Sequence, residues 1–231
     1  MAAARRVHGA VKWVLLPGLD GTGLLFAPFL RVLPGDAEPV VVRYPSERGA
    51  SADELLRIVA AHLPGSGPYV LIAESFSGPL ALRAASAALV KPAAIVLCAS
   101  FDRSPVPAWL LGLAAFAARH TPRALVRAVL LGSGASAGLA RLLDDALQAV
   151  SPAAMASRFV ALDDLRHPPG GALPAPLLYL RASRDRLVGA RVLRRLRHRY
   201  ASMTVETIDA PHLLLQANPV EASRRIQAYL R

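Results

Sequence analysis

Cysteine is almost missing from this chain: among 231 residues Cys98 is the only one. A lone thiol cannot close an internal disulfide or build a thiolate metal site, which excludes the disulfide-stapled classes. Its setting in the apolar run "AIVLCAS" reads as a buried strand position. Lysine is nearly as scarce. Of 27 basic residues only Lys12 and Lys91 are lysines, the other 25 being arginine, and with 16 acids the net charge is +11. That charge invites a nucleic-acid reading, but the arginines are scattered rather than gathered on one face. The exception is "RVLRRLRHRY" (191–200), where Val192, Leu193 and Leu196 face inward at helical spacing and arginines cover the outside. Nucleic acid is therefore not expected as a partner, while an acidic partner remains compatible. Also missing is an apolar run of the ~18 residues a membrane helix needs. The longest candidate, "VPAWLLGLAAFAA" (106–118), suits a buried or substrate-facing helix. Before Pro17 the N-terminal region offers only "WVLL", too short for the core of a signal peptide, so a cytoplasmic protein is expected.

What is present is an alternation of short apolar runs and helical patterns, the mark of parallel βαβ units. Six runs read as strands: "KWVLLP" (12–17), "EPVVVRYP" (38–45), "YVLIA" (69–73), "AAIVLCAS" (93–100), "APLLYLRA" (175–182) and "MTVETID" (203–209). Ser51 with Glu54 three residues on predicts a capping box opening "SADELLRIVAAHL". Another helix follows the third strand, and a last one covers about 219–230. Between the fourth and fifth strands no convincing strand is found. "TPRALVRAVLLG" and "SPAAMASRFVALDDL" each open on a hydroxyl followed by proline, a helix-start signal. "SAGLARLLDDALQAV" carries Leu139, Leu142, Leu143, Ala146 and Leu147 on one face. The expected organisation is an α/β core from residues 1–102 and 166–231, with a mostly parallel sheet of about six strands and a helical cap insertion over 103–165.

Four features bear chemistry. "AESFSG" (73–78) ends the third strand with Ser75 at the tip and small residues, Ala73 and Ser77, two positions to either side. This is a relaxed G-x-S-x-G pattern, in which strand and helix nearly touch and the serine is held out on a strained turn. The competing reading is a serine that merely caps a helix. "LLPGLDGTGLLF" follows the first strand and lacks both Gly-Lys-Ser/Thr and dinucleotide spacing, so its glycines are not a phosphate cradle. They can instead aim a backbone N–H at a developing oxyanion, the candidates being Leu19 and, after the serine, Phe76. Asp185 in "RASRDRLVGA" lies in a turn after the fifth strand, where an acid can hold a histidine in one tautomer. Its bland alternative is an ion pair with Arg184 or Arg186. His212 in "IDAPHLLLQANP" follows the last strand, with no second histidine at metal spacing. No metal and no cofactor are expected.

The order serine, acid, histidine, each after a successive strand, resembles the α/β-hydrolase superfamily over almost the whole chain. The resemblance implies Ser75 as nucleophile, His212 as base and then acid, and Asp185 as its orienting partner. Asp102, after "CASF", is the rival acid, because some relatives use that position. Pro17 stands where many members carry histidine, and Ala73 replaces the first elbow glycine. The implied activity is cleavage of a carboxylic ester or thioester through an acyl-enzyme. Acyl transfer to another acceptor, or ligand binding without catalysis, are the alternatives. Asp20, Trp109, Leu113 and Phe116 are candidates for a substrate pocket taking a small-molecule acyl group, and an acidic acyl carrier fits the positive charge.

Overall fold

The computed structural model describes residues 11–107, 109–111, 113 and 120–231. Six strands, β1 (Val11–Leu16), β2 (Ala37–Val41), β3 (Tyr69–Glu74), β4 (Ala94–Cys98), β5 (Leu177–Ala182) and β6 (Thr204–Ile208), form one sheet in the order β2-β1-β3-β4-β5-β6. Every pairing is parallel. The central β3 and β4 are buried at every position, while the edge strands β2 and β6 are mostly half-exposed. Both faces of a parallel sheet are covered by helices, so its inner strands must be apolar without interruption. The sequence shows just that in "YVLIA" and "AIVLC".

Alternate side chains along each strand feed two separate cores. Leu71, Ala73, Ile95 and Leu97 pack with α2 (Ala52–His62), α3 (Gly78–Ala87) and α7 (Ala190–Arg199). Val70, Ile72, Val96 and Cys98 pack on the other side with α1 (Ala27–Leu30), α8 (Leu214–Ala217) and α9 (Pro219–Leu230). Cys98 is wholly buried, and burial pushes its thiol pKa well above the ordinary value.

Between β4 and β5 the described residues form α4 (Arg123–Leu130), α5 (Ala137–Gln148) and α6 (Pro152–Asp164), with no strand among them. Ser136 and Ser151 cap α5 and α6, each hydroxyl accepting the backbone N–H three residues on, from Leu139 and Ala154. At α4 the N-cap is Pro122 rather than Thr121, a shift of one residue. Ser51 likewise caps α2 by accepting the Glu54 N–H at 3.2 Å, but the capping box is only half made. The Glu54 carboxylate takes the Arg48 guanidinium, an ion pair, in preference to a neutral backbone donor. α6 returns to the sheet: Ala161, Leu162 and Leu165 join the core that contains Leu71 and Ile95. Among the described residues no helix is long and apolar enough to cross a membrane.

Candidate active site

Ser75 follows β3 directly and has φ 46, in the left-handed region that side chains other than glycine rarely adopt. The neighbourhood forces this geometry. A short turn, Ser75–Ser77, delivers the chain straight into α3. Ala73 is fully buried, and the Ser77 hydroxyl donates to the Pro17 carbonyl while accepting from Tyr44 at 2.7 Å. The tightest approach falls at Gly78, where a Cβ would collide with Ser100 Oγ and the Phe101 carbonyl. Ser100 in turn donates to the Ser75 carbonyl at 2.5 Å. The strained turn is thus braced from β1 and β4 together.

Three sequence-distant side chains meet there. His212, in the loop after β6, brings Nε2 to 2.9 Å from Ser75 Oγ. Its Nδ1 lies 2.9 Å from Asp185 Oδ2, in the turn after β5. The other oxygen of Asp185 accepts the backbone N–H groups of Leu187 and Val188 at 2.7 and 3.0 Å, which fixes the carboxylate. The His212 and Asp185 side chains are 2% and 4% exposed, whereas Ser75 is only half-buried and open to a reactant. With Nδ1–H given to the carboxylate, Nε2 presents its lone pair to the serine hydroxyl, the arrangement a general base needs. Asp102 is engaged elsewhere: buried at 1% exposure, it takes Arg195 Nε at 2.9 Å.

The glycine turn after β1 is held by a side chain that sequence reading passed over. Arg158, on α6 and 1% exposed, donates to the carbonyls of Leu19, Asp20 and Pro45 at 2.7, 2.5 and 2.8 Å. Gly21, at φ 67, passes so close that a Cβ would lie 2.7 Å from the guanidinium carbon. Burial draws the Arg158 pKa below its ordinary value. Asp20 faces inward, its carboxylate accepting the Thr22 N–H and hydroxyl at 2.9 and 2.6 Å, and burial raises its pKa against those bonds. Its visible task is to shape the turn. A signal for Arg158 was present: with Ala154, Ala161, Leu162 and Leu165 it sits on the one face of α6 that is otherwise apolar.

Of the residues expected in a substrate pocket, Trp109 and Leu113 are 81% and 62% exposed, and Phe116 lies outside the described residues. Leu111, between the first two, is the buried one and joins the main core. A 620 Å³ cavity opens beside the histidine loop instead. Pro211 and Gln216 line it, as do Arg184 and Arg186 on either side of Asp185, Arg31, and the glycine- and serine-rich loop 132–136.

The profile described as "Alpha/beta hydrolase family" matches residues 13–225. Among solved structures, the chain is similar to a thermophilic esterase from Thermogutta terrifontis, at TM-score 0.79 and 16% identity over 97% of this chain and 91% of that one. It is also similar to the RedJ thioesterase from the prodiginine biosynthetic pathway in Streptomyces coelicolor, at TM-score 0.67 and 20% identity over 100% and 95%. The bottromycin epimerase BotH aligns at TM-score 0.74 and 20% identity over 98% and 93%, so one fold carries unlike chemistries. No curated protein matches. With the profile spanning nearly every element of the sheet and the segments bearing Ser75, Asp185 and His212, the chain belongs to the alpha/beta hydrolase family.

Proposed function

We propose that the protein is a serine hydrolase that cleaves a carboxylic ester or thioester through an acyl-enzyme. The observation that carries this reading is the unbroken pair of 2.9 Å contacts from Ser75 through His212 to Asp185. In the first step His212 Nε2 takes the Ser75 proton as Oγ bonds to the substrate carbonyl carbon. The carbon–oxygen or carbon–sulfur bond then breaks, and the leaving group receives that proton from His212. In the second step water gives a proton to His212, attacks the acyl carbon and releases the acid with Ser75 restored. Asp185 holds the imidazole in one tautomer and offsets the positive charge that forms on it.

The backbone N–H groups of Leu19 and Phe76 are the proposed oxyanion donors. A Cβ built on Gly18 would lie 3.9 Å from Ser75 Cβ, which supports the closeness of that turn to the reacting atom. Residues 103–165 are proposed as a cap, and the reach of Arg158 from α6 to the Leu19 carbonyl supports a role for that segment in building the site.

Within this reading a thioester on an anionic carrier has specific support. The cavity beside the site is lined by Arg31, Arg184 and Arg186 and, among the described residues, by no acidic one. Among the described residues, only Arg184 of the three is shared with an acid, Asp209 at 3.2 Å. The test is turnover of a neutral p-nitrophenyl ester against an acyl-coenzyme A thioester at low and high salt. Hydrolysis that falls at least about 10³-fold in Ser75→Ala and in His212→Ala supports the enzyme. A coenzyme A advantage that salt abolishes supports the anionic carrier. Hydrolysis untouched by either substitution removes the proposal.

A further inference from the structure

We infer that Glu74 stands in the folded protein as a neutral carboxylic acid, joined to the Gln216 amide by two hydrogen bonds that lock the serine-bearing turn to the segment carrying His212. Its functional meaning rests on the reading of Ser75 above; its chemistry rests on geometry alone.

Glu74 closes β3 and precedes Ser75, yet it is only 1% exposed. Gln216, on α8 four residues after His212, is 4% exposed. One bond joins them: Gln216 Nε2 donates to Glu74 Oε2 at 3.1 Å. Two oxygens are left over on the same two side chains. Glu74 Oε1 and Gln216 Oε1 are both buried and have no hydrogen-bond partner among the described residues. An ionised carboxylate and an amide oxygen both only accept, so neither can satisfy the other. A single proton on Glu74 Oε1 turns it into a donor and supplies both missing bonds. Buried polar atoms are rarely left unpaired, and here one proton removes two exceptions together.

The surroundings favour that proton. From the turn after β1 the nearby charge is Asp20, and from β4 the titratable neighbour is the Cys98 thiol. Arg158 is spent on three carbonyls, and the arginines of the cavity that Gln216 borders make no hydrogen bond to Glu74. Burial first, and then the Asp20 charge, push the Glu74 pKa up to about 8, against the opposing bond from Gln216.

The consequence lies at the next residue. An anion at Glu74 would oppose the negative charge that builds on the substrate oxygen beside Ser75 and Phe76; a neutral acid does not. Glu74 is therefore a positioning residue: it ties the end of β3 to the helix behind His212 without adding charge.

The test uses the whole protein labelled with carboxyl-¹³C glutamate. The chain has six glutamates: Glu38, Glu47, Glu54, Glu74, Glu206 and Glu221. One carboxyl signal is expected to stay protonated through neutral pH and to titrate near 8, and to be missing in Glu74→Gln. If all six titrate in the ordinary acidic range, the inference is overturned, whatever Ser75 does. The second readout is kcat/KM of ester hydrolysis against pH. The wild type is expected to lose activity as Glu74 ionises, and Glu74→Gln, a neutral isostere, to keep the acidic-side activity without that alkaline fall. An alkaline fall that survives unchanged in Glu74→Gln removes the positioning role. Should that variant fail to fold, Gln216→Leu serves. It removes both bonds of the pair, the one to the acid's proton and the one to its other oxygen, so the carboxyl titration is expected to shift, and an unmoved titration contradicts the pair.

Discussion

Arg158 and Leu19 are 139 residues apart in the chain and are joined by a 2.7 Å hydrogen bond from a buried guanidinium to a backbone carbonyl. The Leu19 N–H, the proposed oxyanion donor, belongs to the peptide next to the one this bond restrains. Arg158→Met keeps an apolar stem but leaves the carbonyls of Leu19, Asp20 and Pro45 without their donor. Urea unfolding is expected to show a loss of about 2–4 kcal/mol. Turnover is expected to fall by about 10- to 100-fold, short of the ~10²–10³ for deleting an oxyanion donor outright. Arg158→Lys is not a rescue, because one ammonium cannot reproduce a planar fork serving three carbonyls.

The two candidate acids separate cleanly. Asp185→Asn is expected to reduce kcat by roughly 10³-fold or more, because the amide favours the wrong imidazole tautomer. Asp102→Asn is expected to leave kcat near wild type and instead to lose about 1–3 kcal/mol by breaking a buried charge-assisted bond to Arg195. Steady-state kinetics beside a urea melt of each variant reads both effects.

Gly78→Ala tests the packing behind the strained serine. Its Cβ would meet Ser100 Oγ and the Phe101 carbonyl, so α3 and the end of β4 must part. The expected cost is about 1–3 kcal/mol. Because Ser100 also holds the Ser75 carbonyl, turnover should fall with stability.

Stability should depend on pH through Glu74. In the folded state it keeps its proton up to about 8, whereas the ordinary value is 4.5. Between those values the native protein binds the extra proton, so stability is full at the acidic end and is lost as pH rises. The slope is up to about 1.4 kcal/mol per pH unit, flattening beyond the folded pKa. Urea midpoints from pH 5 to 9 should show this decline in the wild type and lack its Glu74 component in Glu74→Gln.

The sequence carried the strands because parallel strands covered on both sides must be apolar throughout, as "YVLIA" and "AIVLC" are. It did not carry their order, which long-range packing decides. The second strand stops at Val41 rather than running to Pro45. One further rung, Val42 N–H to the Leu15 carbonyl, follows before the chain turns toward Arg158. That Ser75, Asp185 and His212 stand together at neighbouring strand ends was legible because polar side chains there stand out from their apolar runs. Trp109 and Leu113 stand exposed while Leu111 between them is buried, a distinction the sequence did not carry, since aromatic and aliphatic residues at helical spacing look alike whether or not they meet a core. Gln216 gave no sign, because its meaning depends on Glu74, 142 residues away.

The most direct measurement is fluorophosphonate labelling of the native protein followed by peptide mass mapping. One adduct is expected, on the peptide bearing Ser75, absent from Ser75→Ala and slowed in His212→Ala. An adduct on another residue, or undiminished labelling in a folded Ser75→Ala, would contradict it.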